Sequence, residues 1–300
     1  MRIALVAPLF ARLAGSVRLG GSMSAAAFDA DAFSRALRTS RVGRRFEYRA
    51  STSSTMTDAD AFLCAEGAAA AHGLLVLAEA QTAGVGRRGR SWESAPDGNL
   101  YFSLIWAPSN AADAMAMMPE VVRLNLAAGV AVTRACASVG MRSARIKWPN
   151  DVWAGSPARK LSGTILNFNG KDAAVLGVGI NVLQGGSVAL PNATSVATEL
   201  SRQQDDRTPS REQMLATFCT ELERLMALST AAVLDEYRTT DLLAGTTVRV
   251  HHRTREEDDP RDYDAKVLGV DAQGMLRVRA PGGEERSLSG EEVSISPKGV

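Results

Sequence analysis

The sequence predicts an α+β protein, with a main domain that mixes hairpins and helices and a small all-β barrel behind it. Three observations carry this. Asn169-Gly170 joins two strand-like runs and reads as a hairpin turn, not a crossover. Helical patterns over Pro119–Val139 and after Ser210 fall between strands without a strict βαβ alternation. From residue 246 the composition shifts to short alternating strands separated by glycine and proline.

The elements follow in order. Residues 1–24 hold Arg2, Arg12 and Arg18 and no acid, and the apolar stretch Ile3–Phe10 is short for a targeting signal. The segment reads as a disordered tail, or as sequence upstream of a true start at Met23. It is too short and too weakly periodic for a helix-turn-helix domain. Thr57-Asp58 is expected to cap a helix running through Phe62, Leu63 and the alanines to Gly73. Leu74–Ala80 reads as a buried strand, 81–98 as a glycine- and arginine-rich loop, and Asn99–Trp106 as a strand. Pro119–Val139 is a long apolar helix with proline in its first turn and Gly140 beyond its end. Arg145–Trp148, Lys160–Phe168 and Ala174–Asn181 are strands, with an Asn150-Asp151 turn between the first two. Ser210-x-x-Gln213 is a capping box opening a helix with Met214, Leu215, Phe218, Leu222, Leu225 and Met226 on one face. A further helix reaches about Arg238. The barrel strands are Thr246–Val250, Asp264–Val270, Met275–Arg279, Arg286–Leu288 and Val293–Ile295, with Arg253–Asp262 a solvated loop. The chain divides into an extension at 1–45, partly disordered, a main domain at 46–242 and the barrel at 243–300.

Composition limits the chemistry. Apolar residues make up 45% and charged residues 22%, which excludes a mostly disordered chain, and the net charge of +1 argues against DNA and membrane partners. No uninterrupted apolar run reaches the ~18–20 residues that span a bilayer. Cys64, Cys136 and Cys219 read as buried free thiols in a reducing compartment. His72 ends an alanine-rich stretch where a cation suits a helix C-terminus, and no metal-ligand spacing occurs. Lysine stands at only five positions against 29 arginines, 34 basic residues in all. An ammonium and a guanidinium do different work, so the scarcity points at Lys147 and Lys160.

Three segments carry motifs. In Gln81–Ser103, Gly84-x-Gly86-x-x-Gly89 matches a dinucleotide fingerprint in form, but a Pro96-Asp97-Gly98-Asn99 turn and a strand follow where a helix is required. What remains is a flexible loop in which Arg87, Arg88 and Arg90 offer forked donors to carboxylate or phosphate. The second segment is Lys147-Trp148-Pro149-Asn150-Asp151-Val152 followed by Lys160-Leu161-Ser162-Gly163, with Lys160 opening a strand and Trp148 and Trp153 read as core. In the third, Gly177-Val178-Gly179-Ile180-Asn181, alternating glycines let something approach the strand closely. Asn181 pairs with a base edge or caps the next turn.

GRRGRSW with DGNLYFS, then KWPNDV, KLSGTIL and GVGIN, in that order, resembles the biotin protein ligases over roughly residues 51–300. The resemblance implies a class II synthetase-like catalytic domain with an SH3-like C-terminal barrel. It implies a cytoplasmic enzyme that makes biotinyl-5′-AMP from biotin and ATP with Mg2+, then passes the acyl group to a lysine of a biotin carboxyl carrier protein. It allows a homodimer. Carried over residue by residue, it makes Lys160 and Arg87 catalytic. It assigns biotin to Ser54, Thr55, Met56, Gln81, Val85, Gly86, Arg87, Lys160 and Gly163. It assigns ATP to Arg87, Arg88, Arg90, Trp92, Asn150, Asp151 and Asn181, with no resident metal. The family often has arginine where this chain has Val85, and many relatives have asparagine at Met56. A lipoate or octanoate ligase and a non-catalytic biotin-binding module are the alternatives.

Overall fold

The structure, a computed structural model, describes residues 26–96, 98–108, 113–183, 192–252, 261–290 and 293–297. Its centre is a seven-stranded sheet ordered β1-β2-β3-β7-β6-β5-β4. The strands are β1 (Phe46–Arg49), β2 (Leu75–Ala78), β3 (Leu100–Trp106), β4 (Arg145–Lys147), β5 (Asp151–Ala154), β6 (Arg159–Phe168) and β7 (Ala174–Ile180). Among the described residues, β1–β2 pair in parallel and the other strand pairings of this sheet are antiparallel. The Asn169 side chain holds the β6–β7 hairpin by accepting from the backbone N–H groups of Lys171, Asp172 and Ala173.

Among the described residues, seven α-helices surround the sheet: α1 (Ala30–Ala36), α2 (Thr55–Glu66), α3 (Ala68–Ala71), α4 (Ala114–Ser138), α5 (Val196–Arg202), α6 (Arg211–Met226) and α7 (Thr230–Arg238). Alternation along β3 and β7 sends Phe102, Leu104, Leu176 and Ile180 into the core shared with α4 and α6. α4 is long and apolar enough to cross a membrane by composition, but Leu124, Ala128, Val132 and Ala135 are buried in that core. The α+β expectation holds. The C-terminal unit is a five-stranded antiparallel sheet ordered β11-β10-β9-β8-β12. Its strands are β8 (Thr247–His252), β9 (Tyr263–Val270), β10 (Leu276–Arg279), β11 (Glu285–Leu288) and β12 (Val293–Pro297). It docks on the main domain, where the Trp148 indole N–H donates to the Gly274 carbonyl at 2.9 Å.

Several expectations change. Residues 26–45 are not an appendage. Phe28, Phe33, Leu37 and Val42 are buried, and Arg211 clamps this segment by donating to the Ala26 carbonyl while paired with Glu79. Residues 1–25 lie outside the described residues, as does most of the Arg253–Asp262 loop. The first long helix begins at Ser54, not Thr57-Asp58, because the Ser54 hydroxyl accepts from Met56 N–H; left-handed Gly67 (φ 80°) breaks it before His72. Asp113 caps α4, so the helix starts a turn and a half before Pro119. Asp151 opens strand β5 and is not part of a turn. Ser210 caps α6, but Gln213 reaches away to the Ser138 carbonyl, so the capping box is not reciprocal. His72 is no terminal cation: burial lowers its pKa, and its Nδ1 accepts from Ala107 N–H. Cys64 is exposed, while Cys136 and Cys219 are buried; all three are free.

Candidate active site

The site grows from a row of residues on the sheet face opposite α4 and α6. The pairings Lys147↔Asp151, Asp151↔Gly163 and Gly163↔Gly179 run across four strands, and directly opposed residues share a face. The next row pairs Ile165 with Gly177 and Gly177 with Ser103. With glycine at these positions, a Cβ at Gly179 would overlap the Trp92 ring, and one at Gly163 would lie 2.9 Å from it. At Gly177 it would come 2.8 Å from the Met56 sulfur. The missing side chains leave the floor of a cavity of about 360 Å³, roofed by Trp92 and the glycine loop and closed at one end by α2.

One end of the cavity is polar and uncharged. Gln81 Oε1 accepts from the Thr55 backbone N–H (2.8 Å) and hydroxyl (3.1 Å), and its amide donates to the Ser94 hydroxyl at 2.8 Å. Ser103 Oγ lies 2.8 Å from the Thr55 hydroxyl. Gly84 lets the loop close onto this group, because a Cβ there would run into the Trp92 carbonyl. The middle is apolar, walled by Met56 and Ile165. The far end is charged. Lys160 Nζ sits 2.8 Å from Asp151 Oδ1 and 5.2 Å from the centre of the Trp92 ring. The Lys160 backbone is pinned on both sides, its N–H to Asn192 O and its carbonyl to Thr194 N–H. Arg87 donates to Asn150 Oδ1 (2.9 Å) and to the Gly290 carbonyl of the C-terminal unit (2.8 Å).

The cavity therefore gathers Ser54, Thr55, Met56, Gln81, Val85, Gly86, Arg87, Arg90, Trp92, Asn150, Asp151, Lys160, Gly163 and Asn181 from distant parts of the chain. Arg88 is the exception. It adopts a left-handed φ of 61° and donates to the Gly290 and Val293 carbonyls, facing a neighbouring cleft between the two units. Asn181 spends its amide on the Thr194 carbonyl, so it fixes the chain as well as lining the cavity. Ser103 and Ile165 were missed, while Met56 of the apolar wall was expected. The available signal was a serine inside the otherwise apolar strand LYFSLIW, where a buried hydroxyl needs a partner. Neutral hydrogen-bonding groups at one end, an apolar waist and a lysine at the other suit an elongated acid with a polar head.

The sequence model of the biotin/lipoate A/B protein ligase family matches residues 48–182. The biotin–[acetyl-CoA-carboxylase] ligase of Mycobacterium tuberculosis (strain ATCC 25618 / H37Rv) is 32% identical over 257 residues, 81% of this chain and 88% of that protein. The bifunctional ligase/repressor BirA of Escherichia coli (strain K12) is 38% identical over 110 residues, 35% of this chain and only 32% of that protein. Among solved structures, the biotin protein ligase from Aquifex aeolicus in complex with biotin and ATP superposes with a TM-score of 0.66 at 21% identity, covering 85% of this chain and 100% of that one. That likeness establishes a shared fold.

Proposed function

The chain belongs to the biotin/lipoate A/B protein ligase family, and from this premise we propose that it is an ATP-dependent biotin ligase. It activates biotin as biotinyl-5′-AMP and transfers the acyl group to a lysine of a biotin carboxyl carrier domain. The observation that carries the reading is the single cavity with Thr55 and Gln81 at one end and Lys160 at the other. A ureido head group exchanges hydrogen bonds with the first pair, the thiophane and valeryl chain fill the waist, and the carboxylate meets the ammonium.

In the first step a biotin carboxylate oxygen attacks the α-phosphorus of MgATP. The bond from that phosphorus to the bridging oxygen breaks, and its electron pair leaves with pyrophosphate. Two anions must be brought together, so fixed cations are the main requirement. Lys160 exchanges Asp151 for the reacting oxygens, and Arg87 holds the α-phosphate from the loop. Asn150 and Asp151 supply hard oxygen donors to the magnesium that arrives with ATP. Trp92 and the loop keep water from the mixed anhydride. In the second step the neutral amine of the carrier lysine attacks the acyl carbon, AMP leaves with the bonding pair, and the amine loses its proton. ATP use and free cysteines suit a cytoplasmic setting.

The test is pyrophosphate release from ATP on titration with biotin, lipoate and octanoate. Release with biotin alone is expected. Release with lipoate or octanoate instead overturns the substrate assignment, and no release with any acid overturns the ligase reading.

A further inference from the structure

Ser103 lies on β3 beneath the polar end of the cavity, fully buried. Its neighbours across the sheet are Val76 on β2 and Gly177 on β7, and neither carries a side-chain acceptor. Among the described residues, the partner of its hydroxyl is the Thr55 hydroxyl at 2.8 Å. The distance alone leaves open which oxygen donates; the rest of the network decides it. The Thr55 backbone N–H can only donate, so the Gln81 atom 2.8 Å from it is the amide oxygen, and the amide nitrogen turns to Ser94. The Thr55 hydroxyl faces the same oxygen at 3.1 Å and donates to it. Its own oxygen is left to accept from Ser103. In the reverse order Thr55 would donate to Ser103, and the Ser103 proton would be buried with no acceptor, which is the costly arrangement. Hydrogen bonds thus run in one direction, from Ser103 through Thr55 and Gln81 to Ser94 and on to the Trp92 carbonyl.

This direction determines what the cavity offers a ligand. Among the described residues, the Thr55 oxygen keeps one lone pair and the Gln81 amide keeps one N–H. We propose that Ser103 is a positioning residue that sets specificity: it fixes the Thr55 hydroxyl as an acceptor toward the ligand, so that the site selects a head group with an N–H beside a C=O. This rests on the ligase reading above and deepens it. A cyclic urea meets both groups, whereas a dithiolane or an alkyl end meets neither.

The experiment is a double-mutant cycle in the full chain, with Ser103→Ala, Thr55→Val and the two combined. Calorimetric titration with biotin is the main readout, and octanoate is the probe that lacks a hydrogen-bonding head. Losing the order of one hydrogen bond predicts biotin affinity reduced about tenfold in Ser103→Ala. In the Thr55→Val background the same substitution is expected to change biotin affinity by less than about twofold, because its only route to the ligand is gone. Octanoate affinity is expected to stay within about twofold of wild type in Ser103→Ala. Unchanged biotin affinity in Ser103→Ala overturns the proposal, and so do losses that add across the cycle. Equal weakening toward biotin and octanoate overturns it in favour of a packing role. If Ser103→Ala does not fold, Ser103→Cys, which offers only a weak donor, carries the cycle. Biotin-dependent pyrophosphate release by the wild type is scored separately. Release together with an additive cycle sinks the Ser103 assignment alone, and absence of release sinks the ligase reading.

Discussion

On one face of the seven-stranded sheet, Leu77, Phe102, Leu104, Leu176 and Ile180 are fully covered by helices. On the other, the same strands present Ser103, Gly177 and Gly179, joined by Gly163 on β6, and α2 covers only part of them through Met56 and Ala59. The covered face buries large side chains and supplies the hydrophobic stabilisation, at about 25 cal/mol per Å² of apolar surface. The open face forgoes that area, and the space becomes a cavity whose polar groups are held ready by the backbone. Stability and chemistry are thus separated by the two-residue repeat of the strand. Substitutions on the two sides are expected to fail in different assays.

The largest expected effect lies on the stabilising side. Arg211 and Glu79 pair at 2.6 Å with side chains 6% and 14% exposed, and they tie α6 to β2 and to the N-terminal segment. Removing one member leaves a buried charge uncompensated, so Arg211→Ala is expected to cost about 3–5 kcal/mol in urea unfolding, with turnover per folded molecule unchanged. The pair also has a pH signature. Burial raises the Glu79 carboxyl, but hydrogen bonds from Arg211, Phe28 N–H and Tyr48 outweigh it, and the net pKa lies below the ordinary value. Its contribution is therefore complete above the unfolded pKa near 4.5 and is lost as pH falls through the lower folded value. Arg211→Ala should flatten that acid limb. A parallel loss of turnover would break the comparison between faces.

On the open face the sign reverses. Lys160→Ala is expected to lower kcat by roughly 10²–10³, about 2.7–4 kcal/mol of transition-state stabilisation, while moving the unfolding midpoint little. Lys160→Arg should rescue only in part, since a fork carries its charge at a different distance from the pinned backbone. Single-turnover adenylation with both substrates saturating separates binding from chemistry. A near-normal chemical rate in Lys160→Ala would leave Arg87 and the loop amides as the source of charge stabilisation.

Much of this division is legible in the sequence. Period-two alternation and the Asn169-Gly170 turn locate β6 and β7, and the alternating glycines of GVGIN mark the open face before any coordinate is known. The glycine loop and the paired lysines point to anion chemistry, and the four ordered motifs narrow it to a family. Long-range events are not legible. Segment 26–45 has a weak local pattern and folds because Arg211, some 180 residues away, receives it. Arg88 looks equivalent to Arg87 in GRRG, and both reach the C-terminal unit, yet Arg88, with its left-handed backbone, does not line the cavity while Arg87 does. Strand β5 hides in a turn-like Asn-Asp pair because β4 and β6 pair with it from both sides.

The smallest expected effect sharpens the comparison at its border. Val85 lines the cavity from the loop and is 47% exposed, where the family resemblance leads one to expect arginine. It bridges to Ser91 across the loop, so a longer side chain there extends over the cavity mouth without entering the core. Val85→Arg adds a third guanidinium close to the phosphate, but in solvent, where an exposed pair is worth about 0.2–1 kcal/mol. The expected outcome is an enzyme-bound adenylate retained about 1.5- to 5-fold longer, with unfolding unchanged. Screening makes the gain shrink as ionic strength rises from 0.05 to ~0.5 M, where the Debye length falls well below 10 Å. Adenylate half-life measured across that salt range checks it. A gain that persists at high salt would mean that the new side chain packs on the loop and orders it. The border between the two faces would then be set by loop packing, with charge playing no part.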